Sequence, residues 1–170
     1  MSKNNLTGDK KSKNSNSSEE FMKEALLEAA KARDMGEIPI GAVIVKDGKI
    51  IGRGHNLTEA SKDSTNHAEM VAIRQANENQ GGWRLTGCEL YVTLEPCAMC
   101  AYAVVLGRLD KVYIGALDPK TGACGSLMNI LQDERLNHFV EIENGILEKE
   151  CQSIIKEFFK NLRNQSGRKK

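Results

Sequence analysis

Apolar positions along the chain fall first at helical spacing and then at alternating spacing. Phe21, Met22, Ala25, Leu26, Ala29 and Ala30 share one face of a helix, which the capping box Ser17-x-x-Glu20 opens and Gly36 ends. "IPIGAVIV" and "KIIGRG" follow as two β-rich runs joined through Lys46-Asp47-Gly48, a hairpin signal of the Asp-Gly type. "AEMVAIRQA" reads as a second helix stopped by Gly81-Gly82, and "ELYVTL" (89–94) as a strand. Pro96 suits the first turn of a third helix, "CAMCAYAVVLG". "KVYIGA" (111–116) and "FVEIE" (139–143) complete five strands, and a last helix runs from about Ile146 to Leu162. Beyond the hairpin, strands alternate with helices, which predicts an α/β layered fold whose hairpin makes the sheet mixed. No internal repeat or linker divides the chain, and 170 residues suit one domain.

Composition changes this picture only at the ends. The Asn/Ser/Lys-rich residues 1–17 have little to bury and read as a disordered tail, leaving a domain over 18–163 and a basic tail over 164–170. The amino terminus lacks the apolar core of a secretory signal, and no apolar run reaches the ~18 residues of a membrane span. The formal net charge of +1 is unevenly placed: +3 over residues 1–18, +5 over 154–170, and therefore −7 over 19–153. So acidic a body offers no broad nucleic-acid surface, and a polyanion would have to meet the basic ends. Five cysteines, an odd count with one tight Cys-x-x-Cys pair, favour a reducing, cytoplasmic setting over a disulfide scaffold.

The chemistry concentrates in "NHAEMVA" (66–72) and "PCAMC" (96–100). His67, Cys97 and Cys100 are three zinc ligands, each expected in the first turn of a helix, where the partial positive charge favours thiolates. Structural zinc sites close with four protein ligands, whereas catalytic sites use three and leave a place for water. Cys88, Cys124, Cys151, His55 and His138 lack ligand-like spacing, which leaves the fourth place to water. Glu69 has two readings: a helix cap of the Asn66-x-x-Glu69 kind, or the acid/base that moves protons for that water.

His-x-Glu followed by Pro-Cys-x-x-Cys, each opening a helix, resembles the signature of the zinc-dependent nucleoside and nucleobase deaminases, a family the signature is used to define. The resemblance covers about Phe21 to Arg163 and is strongest to bacterial tRNA-specific adenosine deaminases, through "IPIGAVIV", "GRGHN", "NHAEM", "LYVTLEPCAMCAYA", "IGALDPKTGACGSL", "NHFVEIENGIL" and "EFFKNLR". It implies a three-layer α/β/α, cytidine deaminase-like fold with a mixed five-stranded sheet. It also implies one Zn2+ per subunit, a homodimer, and conversion of adenosine to inosine at the wobble position of the tRNA anticodon. By position it implies ligands His67, Cys97 and Cys100, with Glu69 as proton shuttle. Asn56 would bond the flipped base, and Glu95 belongs to the supporting "LEP" turn. Asp118 and Lys120 fall beside the flanking nucleotides, and Phe159 and Arg163 on the carboxy-terminal helix near the anticodon loop. Cys124 stands where the family usually has alanine. Two other readings share these residues: a deaminase of a free base or nucleoside such as guanine or cytosine, and a non-enzymatic zinc module with a closed site.

Overall fold

A computed structural model describes residues 9–167, with side chains from 17 to 166. The elements are α1 (Asp9–Asp34), β1 (Gly41–Lys46), β2 (Lys49–His55), a single turn α2 (Thr58–Ser61), α3 (Ala68–Gln80), β3 (Cys88–Leu94), α4 (Ala98–Leu106), β4 (Lys111–Ala116), β5 (Glu141–Asn144) and α5 (Glu148–Gly167). The five strands form one sheet in the order β2-β1-β3-β4-β5. β1 is antiparallel to both of its neighbours, while β3, β4 and β5 are parallel, so the sheet is mixed as expected.

Strand alternation divides the core into two layers. Ala42, Ile44, Leu90, Val92, Val112 and Ile114 face α3 and α4, where they meet Ala72, Ala101 and Val104. Val43, Val45, Tyr91 and Tyr113 point the other way, against Met22 and Ala25 of α1 and Cys151 of α5. Tyr91 and Tyr113 stack across neighbouring strands with ring centroids 4.3 Å apart. The result is the α/β/α sandwich that the pattern and the resemblance called for.

Local signals hold where backbone geometry demands them. Asp47 and Gly48 both take positive φ (49° and 72°), the condition for a type I′ hairpin turn, and they pair Lys46 with Lys49. α3 lies close on β2: a Cβ at Gly54 would meet the Ala68 carbonyl oxygen at 2.1 Å, so only glycine lets the helix settle there.

Three expectations need correction. α1 begins at Asp9, so Ser17 lies inside the helix and does not cap it, and Asp9–Ser17 are helical where a disordered tail was expected. A helix nucleated by its packed face extends at small cost per residue, even through Asn, Ser and Lys. Likewise α5 continues to Gly167 through part of the expected basic tail. Residues 1–8 and 168–170 of the two tails lie outside the described residues. Finally, the fifth strand is Glu141–Asn144, two residues later than "FVEIE" begins, because Val140 joins the core beside Leu131 while Phe139 is exposed. No helix among the described residues is long and apolar enough to cross a membrane.

Candidate active site

Two helix amino termini converge on one point. His67 is the N-cap of α3 and Cys97 the N-cap of α4, both with extended backbone (φ −71°, ψ 158° and φ −72°, ψ 175°). They therefore sit one position before the first turn in which they were expected, and Pro96 precedes the cap. The His67 side chain makes no cap bond to α3, which leaves its ring free to turn toward Cys97. His67 Nδ1 lies 3.6 Å from Cys97 Sγ and 3.6 Å from Cys100 Sγ. A tetrahedral zinc with Zn–N near ~2.05 Å and Zn–S near ~2.3 Å separates such donors by about 3.6 Å, so the three side chains fit the ion. Among the described residues, this is the one group of three ligand-type side chains with donor atoms mutually within 4.8 Å.

The remaining candidates for a fourth ligand are engaged elsewhere. His55 Nδ1 pairs with Glu28 Oε2 at 3.0 Å, and His138 Nε2 with the Leu109 carbonyl at 2.6 Å. Cys88 and Cys151 are buried, and burial pushes the Cys151 thiol up to about 12. Cys124 is buried beside the site, and burial likewise raises its thiol, so it stays a thiol and not a ligand.

Glu69 follows His67 by two residues in the first turn of α3 and is only 4% exposed. Burial pushes its carboxyl up to about 7, with the neighbouring Cys97 adding to the rise and His67 opposing it. Asn66 does not cap the helix: it lies before the cap, its Nδ2 donates to Ser61 Oγ, and its Oδ1 accepts from Arg74, while the Glu69 carboxyl accepts its own backbone amide, which opposes the rise. Without metal, the Cys100 thiol bonds to Cys97 and, with help from His67 and against burial, draws the Cys97 thiol down to about 4; the same pairing raises Cys100. The bond to Cys97 also lifts the His67 ring above its ordinary value, against burial. Thiolate character already resides where a cation would sit.

Residues 15–116 match the family described as the cytidine and deoxycytidylate deaminase zinc-binding region. The tRNA-specific adenosine deaminase of Bacillus subtilis (strain 168) is 56% identical over 143 residues, 84% of this chain and 89% of that one. This chain belongs to the tRNA-specific adenosine deaminases, a branch of that family. Among solved structures, one from work on A-to-I editing by tRNA:A34 deaminases at the wobble position of transfer RNA superposes with a TM-score of 0.77 at 44% identity, covering 79% of this chain and 98% of the other. A guanine deaminase from Bacillus subtilis superposes with a TM-score of 0.56 at 44% identity, over 58% of this chain and 64% of that one.

Around the deaminase metal cluster, the other expected residues divide into two groups. Glu95, Asp118 and Lys120 belong to one loop system beside it. The buried Glu95 carboxylate accepts the Asp118 amide at 2.9 Å, the Cys124 and Ser126 amides at 3.0 Å each, and the Ser126 hydroxyl. These bonds occupy both of its oxygens, so in this structure it organises the loop. Gly122 is required here, since a Cβ would stand 2.3 Å from that carboxylate. Asp118 in turn accepts the Lys120 amide at 2.9 Å and the Thr121 hydroxyl at 2.6 Å; these bonds outweigh burial and hold its carboxyl below the usual range. The Lys120 side chain is exposed. The loop is stitched to the cluster through the Ala123 amide on the Pro96 carbonyl (2.8 Å) and a bridge between Cys97 and Gly122.

Asn56 closes β2 and is 5% exposed. Its neighbour Leu57 donates its amide to the Asn66 carbonyl at 3.0 Å, which ties the end of β2 to the residue before His67. Phe159 and Arg163 are not drawn into the cluster: both are exposed on α5, which packs on α1 and on the sheet face away from α3 and α4. Sequence reasoning passed over Glu37, a carboxylate 2% exposed that holds Asn56 and the Ala60 amide.

Proposed function

We propose that this chain is a zinc-dependent hydrolase that converts adenosine to inosine at the wobble position of a tRNA anticodon, with release of ammonia. The observation that carries the chemistry is the buried Glu69 carboxyl in the first turn of α3, beside three converging zinc ligands. His67, Cys97 and Cys100 hold one zinc per subunit, and the bound ion supplies Lewis-acid activation of a water at neutral pH. Glu69 takes a proton from the attacking water, returns it to the ring nitrogen beside C6, and carries the next to the departing amine. The C6–O bond forms first, leaving C6 tetrahedral with the water's proton on the ring nitrogen; the C6–N bond then breaks as the proton of the new hydroxyl passes to the amine, so water and adenosine give inosine and ammonia.

Asn56 holds an edge of the flipped base, while Asp118 and Lys120 line the path of the flanking nucleotides on the loop that Glu95 organises. Phe159 and Arg163, with Lys156 and Lys160 on the same helix, meet the anticodon loop and its phosphates. Because α5 stands on the far face of the sheet, the RNA must extend around the subunit or reach the α5 of a second one. A homodimer satisfies this, and a tRNA substrate places the enzyme in the cytoplasm. The domain that does the work spans 18–163.

The test is incubation of zinc-loaded protein with an anticodon stem-loop carrying adenosine at the wobble position, read as inosine by mass spectrometry. Wild type should form inosine and Glu69→Ala should not. If guanine or cytosine is deaminated and the stem-loop is untouched, the free-base reading, to which the guanine deaminase likeness points, replaces this one.

A further inference from the structure

Glu37 is a buried carboxylate to which the chemistry above gives no task. It lies just before β1, where its Oε1 accepts the Ala60 amide at 2.7 Å and its Oε2 accepts Asn56 Nδ2 at 3.2 Å. On the other end of the same amide, the Thr58 hydroxyl donates to Asn56 Oδ1 at 2.9 Å. The Asn56 backbone is fixed too, its amide donating to the Ile40 carbonyl at 3.1 Å. A carboxylate can only accept, so the nitrogen of the Asn56 amide must face Glu37. A side-chain amide offers two N–H donors and two acceptor lone pairs, and these contacts use one of each. One N–H and one lone pair are left, and their positions are fixed by Glu37.

We infer that Glu37 is a positioning residue for substrate recognition: it locks the polarity of the Asn56 amide so that an N–H, and not the oxygen, meets N7 of the target purine. The inference rests on the reading of Asn56 as the base contact. Delivery of a proton by Glu69 to the ring nitrogen on one side of C6 assigns N1 to Glu69. On the other side of C6 the available acceptor is N7, and a donor held by a buried carboxylate complements it. An amide free to flip would present an oxygen to N7 half the time, and an unpaired acceptor pair in a closed pocket is costly.

Glu37→Gln separates this role from simple support of the α2 turn. The glutamine oxygen is kept by the Ala60 amide, so its NH2 group faces Asn56 and forces that amide to turn over. Thr58 follows, because a hydroxyl donates or accepts. The number of hydrogen bonds is conserved and folding should be too, but the group presented to the base is reversed. The experiment compares kcat/KM of the zinc-loaded enzyme on anticodon stem-loops carrying adenosine or 7-deazaadenosine, which lacks N7. Wild type should favour adenosine by about 10- to 100-fold. Glu37→Gln should lose about that factor on adenosine, react with the 7-deaza substrate as wild type does, and show a ratio near 1, at unchanged zinc content and thermal stability.

A Glu37→Gln enzyme that keeps the wild-type ratio, or a wild type indifferent to N7, overturns the inference while leaving the adenosine deaminase reading intact. Inactivity of wild type on the adenosine stem-loop is instead the failure of that reading. If Glu37→Gln does not fold, wild type labelled with 15N-asparagine carries the test. Of the two Asn56 Nδ2 protons, the one bonded to Glu37 should be insensitive to added stem-loop and the other shifted by it. A stem-loop that shifts neither proton would overturn the lock.

Discussion

Substituting Gly54 by alanine tests whether the seat of α3 on β2 sets the metal site. The new Cβ would lie 2.1 Å from the Ala68 carbonyl oxygen, 2.5 Å from the Ala72 nitrogen and 2.9 Å from the Val71 Cβ. Non-bonded carbon atoms prefer about 3.5–4.0 Å, and two of the three obstacles are backbone atoms that no rotamer change can move. α3 must therefore retreat by roughly 1 Å or more. Overpacking of this kind costs about 1–3 kcal/mol, which in a chain of this size lowers Tm by about 2–12 °C. The same retreat carries His67 and Glu69 away from Cys97 and Cys100, which belong to α4 and do not move with it. Metal–ligand distances tolerate only about 0.2 Å, so zinc affinity should fall by roughly 10- to 100-fold. Calorimetry gives the first quantity and competition with a chromogenic chelator the second. Gly82→Ala is the control, since its Cβ meets nothing within 4 Å and should change stability by less than about 0.5 kcal/mol. A Gly54→Ala protein with wild-type Tm and zinc affinity would refute the reasoning.

Two further outcomes follow from burial and hydrogen bonding at the site. In metal-free protein the Glu69 carboxyl stands near 7 against 4.5 for the free group, so the fold holds a proton that the unfolded chain releases across that window. Stability from this residue is therefore complete below about 4.5 and is lost as pH rises toward 7. Relative to Glu69→Gln, wild type should weaken in chemical denaturation across those values and run parallel outside them; parallel curves throughout would contradict the burial argument. Glu95→Ala removes the acceptor of four hydrogen bonds, so amide exchange at Asp118, Cys124 and Ser126 should quicken while the Ala101 amide, bonded to Cys97, stays protected. Unchanged protection of those three amides would remove Glu95 from the role of loop organiser.

The convergence of His67, Cys97 and Cys100 was legible in the sequence because much of its geometry is local. Cys97 and Cys100 are placed by one helix turn, and the His67–Glu69 spacing by another. What the motif could not fix was the phase of each helix: both ligands proved to be caps, because their extended ψ lets the side chains swing out of the helix. The sheet was legible through alternation and the Asp47-Gly48 turn, but the start of α1 was not, since a capping box marks a permitted beginning and tertiary packing decides whether the helix continues past it. Glu37 left no mark at all. A single carboxylate before a strand has no periodicity, and its meaning arises only when the fold brings Asn56 and Ala60, 19 and 23 residues away, onto its two oxygens. Asp118 and Lys120 could be located by resemblance, but the bonds from Glu95 that shape their loop run 23 to 31 residues along the chain and have no sequence signature.

Three consecutive residues join the candidate zinc cluster to the loop that carries Asp118 and Lys120: Glu95 gathers the loop's amides, Pro96 takes the Ala123 amide on its carbonyl, and Cys97 bridges to Gly122 while offering its sulfur to the cluster. Displacing Cys97 displaces both ends of this short lever. Ion occupancy and loop order are then thermodynamically linked, and linkage is reciprocal. RNA that orders the loop should tighten zinc binding by the same free energy with which zinc tightens the grip on RNA.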